Sequence, residues 1–560
     1  MKNINYILHK KWMLVLFMLP FIFIACNQDE ILEEIPRDFL TTTNAYATLG
    51  GVDQAVIGLY SQARNWQSPA NLHRGTDVSY DGESPGANRW LTNYPLSCTP
   101  QGGGIQNQVE LFWSTIFRQI HMCNTVLDAI KRTDEAIWTG KETLKNRYIA
   151  EARFFRAFVY YKGVILYGDI PVITEPTTTA KVDFKRDPKA DVFKLIEEDL
   201  LYATQNLPVP GSESEQGRLT QGAAWHMLVS AYLAQFQYQS AVDAASHVIN
   251  DFGYSLMTAR FGNQFEPFGS GDVYWDLFRY GNQDPSINKE TIWTFQNEPL
   301  LAQGGGGPTT NNWNCRYFSW GKTPDGFDAF VPEFNDTLGR PVAYNRGTNL
   351  TFFYIWASDW NNDIRNAEHN IKRHFYFTNP QSAFFGKEIS WKLYPAGARN
   401  IQKDTLNYIY PYYTKGFQPV VQATYYPSRG GNAENHADQY AMRLAETYLL
   451  RAEAYLGLGN TVAAAADINI VRNRANATPV TPDKVDLDYI LDERVRELYM
   501  EEERLIVLMR LGKLIERVRR YCDNPLTPTA NIQDHNNLLP IPQSQIDLNR
   551  DLKWEQNPGY

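Results

Sequence analysis

Two stretches concentrate the side chains able to do chemistry. "GTDVSYDGESPGANRWLTNYP" places Asp77, Tyr80, Arg89, Trp90 and Asn93 within a run of loop-forming residues. "NNWNCRYFSWG" does the same with Trp313, Asn314, Arg316, Tyr317 and Trp320. Flat rings beside carboxylate, amide and guanidinium groups suit a sugar, whose C–H face wants an apolar surface and whose rim wants hydrogen bonds. One aromatic ring brings roughly 150–250 Å² of buriable surface to such a contact. The same rings can instead plug the core under a loop, since large apolar side chains are buried more often than displayed.

Catalytic patterns are missing. A hydrolase needs a paired acid and base, or a nucleophile beside a base, and the chain has no HExxH, GxSxG or phosphate loop. Glu501, Glu502 and Glu503 sit among Arg496, Arg504 and Arg510 and read as a solvated, salt-bridged face. Arg443 and Glu446 have the i, i+3 spacing of a helical ion pair. His369 and His374 lack a metal-ligand spacing, and no metal or cofactor is expected. Cys98, Cys123, Cys315 and Cys522 show no CxxC, so their pairing stays open.

Charge narrows the partners. The 560 residues carry a formal net charge of -9. Lys2, Lys10 and Lys11 belong to a leader with no acid, and removing it leaves 62 acids against 50 bases. An acidic body without a basic stripe repels phosphate backbones, so nucleic acid is excluded as a partner. Aromatics reach 14%, and six of the 14 tryptophans fall between residues 275 and 360.

The leader ends "WMLVLFMLPFIFIAC". Its apolar run is too short for a comfortable membrane span, which takes about 20 residues, but it has the charged flank and length of a secretory signal. Phe23-Ile24-Ala25-Cys26 resembles a bacterial lipobox, which implies acylation of Cys26 and an anchored, non-spanning body. Two or more acyl chains hold a soluble body stably at a membrane. Asp29, Glu30, Glu33 and Glu34 then form an acidic tether.

The elements that must position the two loops are helical. Apolar spacing predicts helices over Ala45–Arg64 and Val109–Ile130. A third, "TLKNRYIAEARFFRAFVYYKGVILYG", stops before Pro171, which cannot continue it. "DPKADVFKLIEEDLLYATQNLP" predicts a fourth, with Asp187 and Pro188 at its start. Two later segments share a pattern: Ala231-Tyr232 with Ala241 nine residues after the tyrosine, and Ala454-Tyr455 with Ala464 at the same spacing. Large residues on one helix facing small ones on the next give the close packing of tetratricopeptide-like pairs. Between them, residues 255–436 lose helical periodicity and turn rich in Gly, Asn, Pro and aromatics. So long a loop-dominated insertion implies function.

These pieces resemble a known family. "AEARFFRAFVYYKGVILYGDIPVI", "RLAETYLLRAEAYLGLGN", "ILDERVRELYMEEERLIVLMRLGKL" and the closing "LLPIPQSQIDLNRDLKWEQNPGY" resemble the SusD/RagB outer-membrane lipoproteins, in the same order. The resemblance implies a mostly α fold, with tetratricopeptide-like pairs in a right-handed superhelical scaffold carrying a loop-rich, irregular binding lobe. It implies a signal over 1–25, a tether over 26–40, a helical part over 41–254, the lobe over 255–436 and a C-terminal helical region over 437–560. It further implies a lipid-anchored, surface-exposed protein that captures oligosaccharides without cleaving them. Its partner would be a SusC-like, TonB-dependent outer-membrane transporter, which it covers as a lid. The ligand-contacting residues would be Asp77, Tyr80, Arg89, Trp90, Asn93, Trp313, Arg316, Tyr317 and Trp320. A peptide-binding relative uses the same scaffold, and a surface glycoside hydrolase is the third reading.

Overall fold

The computed structural model describes residues 45–560 except 68–69, 85, 87–88, 103–106, 214, 267–268, 299–300, 302–303, 305–311, 332–340 and 417–436. The leader, the tether and Cys26 lie outside the described residues. The longer helices begin with α1 (Leu49–Ala63), α2 (Gln108–Arg132), α3 (Glu142–Tyr167) and α4 (Lys189–Asn206). The first pair is α5 (Gln221–Leu233) with α6 (Tyr238–Asp251). The second is α7 (Leu444–Gly457) with α8 (Thr461–Arg474), followed by α9 (Leu487–Leu498), α10 (Arg504–Arg510) and α11 (Leu514–Tyr521). The fold is mostly α, as the periodicity predicts.

Local chemistry sets the helix ends. Thr48 accepts a hydrogen bond from the Gly51 N–H at 3.1 Å, Asn107 from Glu110 at 3.1 Å and Asp486 from Tyr489 at 2.7 Å. Each satisfies a donor that the first turn leaves orphaned. The long α3 stops at Gly168, which takes φ +75° ahead of Pro171. Small residues then set the packing: Ala241, Ala244 and Ala245 on α6 and Ala452, Ala454, Ala464 and Ala465 on α7 and α8 are buried. α6 packs on α7, so the two pairs stack in space although the whole insertion separates them in sequence.

The described residues between Asp251 and Leu444 hold short helices and strands only. β2 (Thr291–Phe295) runs antiparallel to β6 (Gln439–Arg443) and ties both ends of this region to the helices. Two more ladders knit the loops, β1 (Ser79–Tyr80) with β3 (Arg346–Gly347) and β4 (Ile371–Lys372) with β5 (Tyr412–Tyr413). The lobe has cores of its own. One gathers Cys315, Tyr317, Trp320, Phe330, Phe375 and Phe377 with Tyr410 and Tyr412. The other sets Trp313, Phe352 and Trp356 against Val495 and Tyr499 near the end of α9.

Buried ion pairs lock lobe to frame. Glu497 on α9 accepts from Arg365 of the lobe at 2.9 Å, from Arg443 at the end of β6 at 2.6 Å and from Arg474 of α8. Glu493, one turn earlier, meets Arg365 at 2.8 Å and both Arg472 and Arg496 at 2.7 Å. Burial raises the Glu493 carboxyl, but these guanidiniums outweigh it and hold the group at about 2. The Arg443–Glu446 pair read from the helical spacing does not form. Glu446 instead bonds Arg494 at 2.8 Å, because Arg443 precedes α7 in extended backbone and turns toward Glu497.

The expected solvated face at 501–503 is salt-bridged but not solvated. It lies in the turn between α9 and α10, where Glu501 meets Arg443 at 2.6 Å and Lys415 at 2.7 Å. Glu502 is buried between Arg494 and Arg504, and Glu503 pairs with Lys162 of α3. The four described cysteines are buried and free, and burial pushes their thiols up to about 12.

Candidate functional site

The first loop leaves β1 at Tyr80 and passes close under the lobe. The Gly82 N–H donates to the Ala343 carbonyl at 3.0 Å, and a Cβ on Gly82 would stand 2.8 Å from the Arg346 Cβ. Only glycine fits that crossing. Just before it, Asp77 is fully buried. It takes two bonds from Arg504, at 2.9 and 2.6 Å, and one from Arg517 at 2.6 Å. Burial works to raise its carboxyl, yet the two guanidiniums hold it at about 2. Asp77 is therefore a clamp between the loop and helices α10 and α11, and its oxygens do not face a ligand.

Burial corrects most of the ring assignments as well. Trp90 is 0% exposed, donates its indole N–H to the Asn71 carbonyl at 2.9 Å and packs edge-on against Phe112. Tyr80 is buried with its hydroxyl on Arg346. Trp313 lies edge-on to His73 and Tyr499, and Tyr317 edge-on to Phe330. Trp320 is 2% exposed and donates to the Tyr394 hydroxyl at 2.7 Å, while Arg399 covers its ring at 3.7 Å. These five residues fill cores because loops supply no regular packing face, and large rings close the gaps. Asn93 is half-buried and caps a short turn with its carbonyl, which the Ser97 N–H and hydroxyl reach at 3.0 and 2.9 Å.

Two predicted residues do reach the surface, and the fold brings them together. Arg89 donates to Glu83 at 2.7 Å, and Arg316, 233 residues from Glu83 in sequence, reaches the same carboxylate at 3.3 Å. Asn407 fastens the junction, its amide donating to the carbonyls of Gly82 and Glu83 at 2.7 and 2.8 Å. Rings stand around the pair with part of their surface in solvent. Tyr344 faces the Arg89 guanidinium at 4.9 Å, and Phe318 faces Arg316 at 5.7 Å. Half-buried Trp391 and Tyr394 lie against the buried Trp320. This surface holds what the sequence sought, apolar faces with polar edge groups, but on different rings. Glu83 lies inside the first loop and is legible there; Phe318, two residues after Arg316, is equally within reach. Tyr344 and Asn407 carry no local signal, since only the tertiary fold puts them here.

A separate cavity of about 110 Å³ lies where α3, α5, α7 and α10 meet β6. Lys162, Arg494, Arg510, Glu446 and Glu502 line it, and its carboxylates are each held by a cation. Among the described residues there is no group of three or more His, Cys, Asp or Glu able to hold a metal. His369 bonds Asp272 at 2.7 Å and His374 bonds Glu388 at 2.6 Å.

Comparison with known proteins follows the same outline. The SusD family model matches residues 359–560, and one described as "Starch-binding associating with outer membrane" matches residues 46–233. Both ends of the chain are thus SusD-like. SusD-like protein P25 of Formosa agariphila is 26% identical over an alignment 571 positions long, covering 96% of this chain and 98% of that protein. A SusD homolog from Bacteroides thetaiotaomicron superposes with a TM-score of 0.69 at 19% identity, covering 93% of this chain and 99% of that one. A laminarin-binding SusD-like protein gives 0.62 at 22% identity, with 92% and 100% covered. The chain therefore has the SusD-like fold across both the helical frame and the lobe. No helix among its described residues is long and apolar enough to cross a membrane.

Proposed function

We propose that this SusD-like chain captures oligosaccharides on the surface around Glu83 and passes them, uncleaved, to a SusC-like, TonB-dependent transporter over which it acts as a lid. In this reading acyl chains on Cys26 hold the body at the outer face of the outer membrane. The observation that carries the capture reading is the shared carboxylate: Glu83 fixes Arg89 and Arg316 side by side, with Tyr344 and Phe318 beneath their guanidiniums. Charged donors held by a partner lose little rotamer freedom on binding, which favours hydroxyl-rich ligands that gain little per contact. A relative known by name to bind laminarin supports the ligand class. Pairing of the cavity carboxylates with cations favours binding over hydrolysis, which needs two free carboxyls about 5–9 Å apart.

Titration calorimetry of the full chain against neutral and acidic oligosaccharides tests this. The expected result is binding of at least one glycan, weakened about tenfold, or 1.4 kcal/mol, by Tyr344→Ala or Arg316→Ala with the melting temperature unchanged. A wild type that ignores every glycan and binds a peptide mixture would overturn the sugar reading in favour of peptide capture.

A further inference from the structure

The loop following β3 holds a second group of rings, and these are displayed. Phe353, Tyr354 and Trp360 are 39%, 61% and 43% exposed, while Phe352, Ile355 and Trp356 between and beside them are buried. The loop beneath is pinned at many points. The Trp356 indole donates to the Thr351 carbonyl at 3.0 Å, and Arg496 of α9 donates to the Ile355 carbonyl at 2.8 Å. Asp359 takes 2.7 Å and 2.6 Å bonds from Arg472 and Thr478, and the Asn366 amide donates to the Trp360 carbonyl at 2.7 Å. The Phe353 and Trp360 rings lie parallel within 5°, centroids 6.3 Å apart, and the Arg373 guanidinium stands 4.8 Å from the Trp360 ring. Arg373 is itself held by bonds to the Asn366 side chain and the Phe352 carbonyl.

Exposed rings on so fixed a base forgo burial without the freedom that usually accompanies loop tips. We propose that Phe353, Tyr354 and Trp360 form a second sugar-stacking platform, taking an uncharged pyranose of a long glycan, separate from the Glu83 surface; it rests on the glycan-capture reading. Two features select that occupant. The rim offers exposed Ser358, Asn361 and Asn362, while the loop's Asp359, Asp363 and Arg365 are buried and paired. The Arg373 guanidinium beside Trp360 spends its terminal donors on Asn366 and the Phe352 carbonyl, which leaves hydroxyls and amides around a flat apolar centre, a rim that complements a neutral sugar rather than a charged one. Size points the same way. Three rings at about half exposure offer on the order of 300 Å², against about 800 Å² per partner in a stable protein interface. One or two sugar rings fit that area.

The test uses the full chain and the triple variant F353A/Y354A/W360A, with Tyr354→Ala alone as a milder companion, since Tyr354 is the most exposed of the three. Affinity electrophoresis through gels containing laminarin, starch or xylan reads binding to long chains, and calorimetry with matching trisaccharides reads short ones. The triple variant is expected to bind the retarding polysaccharide roughly five- to tenfold more weakly, about 1–1.4 kcal/mol, with trisaccharide affinity and melting temperature unchanged. Tyr354→Ala should show a smaller loss of the same kind. Unchanged retardation of both variants, when wild type is retarded, overturns the platform alone and leaves the surface to another partner. Equal losses for short and long ligands overturn its separateness. A wild type that binds none of the glycans sinks the capture reading and this platform together.

Discussion

The helical frame and the loop lobe solve the same packing problem in different ways. In the frame, the stacked pairs α5–α8 meet through alanines, and where α2 and α3 bury rings such as Trp113, Phe154 and Phe155 these pack between regular helices. In the lobe, short ladders and turns leave irregular gaps, which Trp313, Trp320, Trp356, Tyr317 and Phe375 fill. Aromatic richness in a loop region is thus first a packing requirement. A ring becomes a binding candidate only when something holds it outward, as at Phe353 and Trp360, or leaves half of it bare, as at Tyr344. Electrostatics joins the two regions. The lobe is fastened to the frame by carboxylates of α9 and by Asp77, buried charges that are stable only while every partner stays in place.

Removing such a partner should have the largest effect on this contrast. Asp77→Ala would leave Arg504 and Arg517 buried with less counter-charge, and truncating one side of a buried pair costs about 3–5 kcal/mol. Urea denaturation should show that loss, with amide exchange rising in α10, α11 and the 77–93 loop together. If Asp77→Ala kept full stability and lost only glycan binding, Asp77 would be a ligand contact after all, and the clamp would be wrong. Trp320→Phe should cost less, about 2 kcal/mol from the smaller ring and the lost bond to Tyr394. Its signature is locality: exchange should speed up around residues 315–330 and 375–412 while α5–α8 stay protected. Equal loosening of the frame would mean that lobe and frame are one cooperative core, and the division drawn above would fail.

What was legible in the sequence follows the same division. Helix periods, the stop at Pro171 and the repeated Ala-Tyr…Ala spacing are local, and the structure has α1–α8 where they place them. The site is not local. Asp77 reads as a loop acid open to ligand because its guanidinium partners lie 427 and 440 residues away. Glu501 to Glu503 read as a solvated run because Arg443, Lys415 and Lys162 approach from other elements. Arg89 and Arg316 could be proposed from residue type alone. That one carboxylate holds both could not, since loop convergence is a property of the closed fold. Trp90 and Trp320 face inward, against the sequence expectation, for a related reason: residue type gives the capacity of an indole to stack, and only packing decides which way it faces.

The smallest effect is expected where lobe meets frame at the edge of β6. Asp438 is mostly buried, with no cation partner among the described residues; burial, with Glu298 and Asp284 nearby, raises its carboxyl from 3.8 to about 6, against a lowering bond from the Asn297 N–H. A carboxyl raised in the fold prefers its proton there. Below about pH 4 both folded and unfolded chains keep the proton, and the site costs nothing. As pH climbs from about 4 to about 6 the unfolded chain releases its proton first, so the fold is penalised, and above about 6 the penalty stays constant. Asp438→Asn should therefore match wild type at pH 4 and be more stable at pH 8, by about 1 kcal/mol once partial solvent screening is allowed for. Urea midpoints at the two pH values measure it. A gain at pH 4, or a loss at pH 8, would mean that Asp438 finds a cation in solution, and the junction would then be held by charge like the rest of the lobe's attachment.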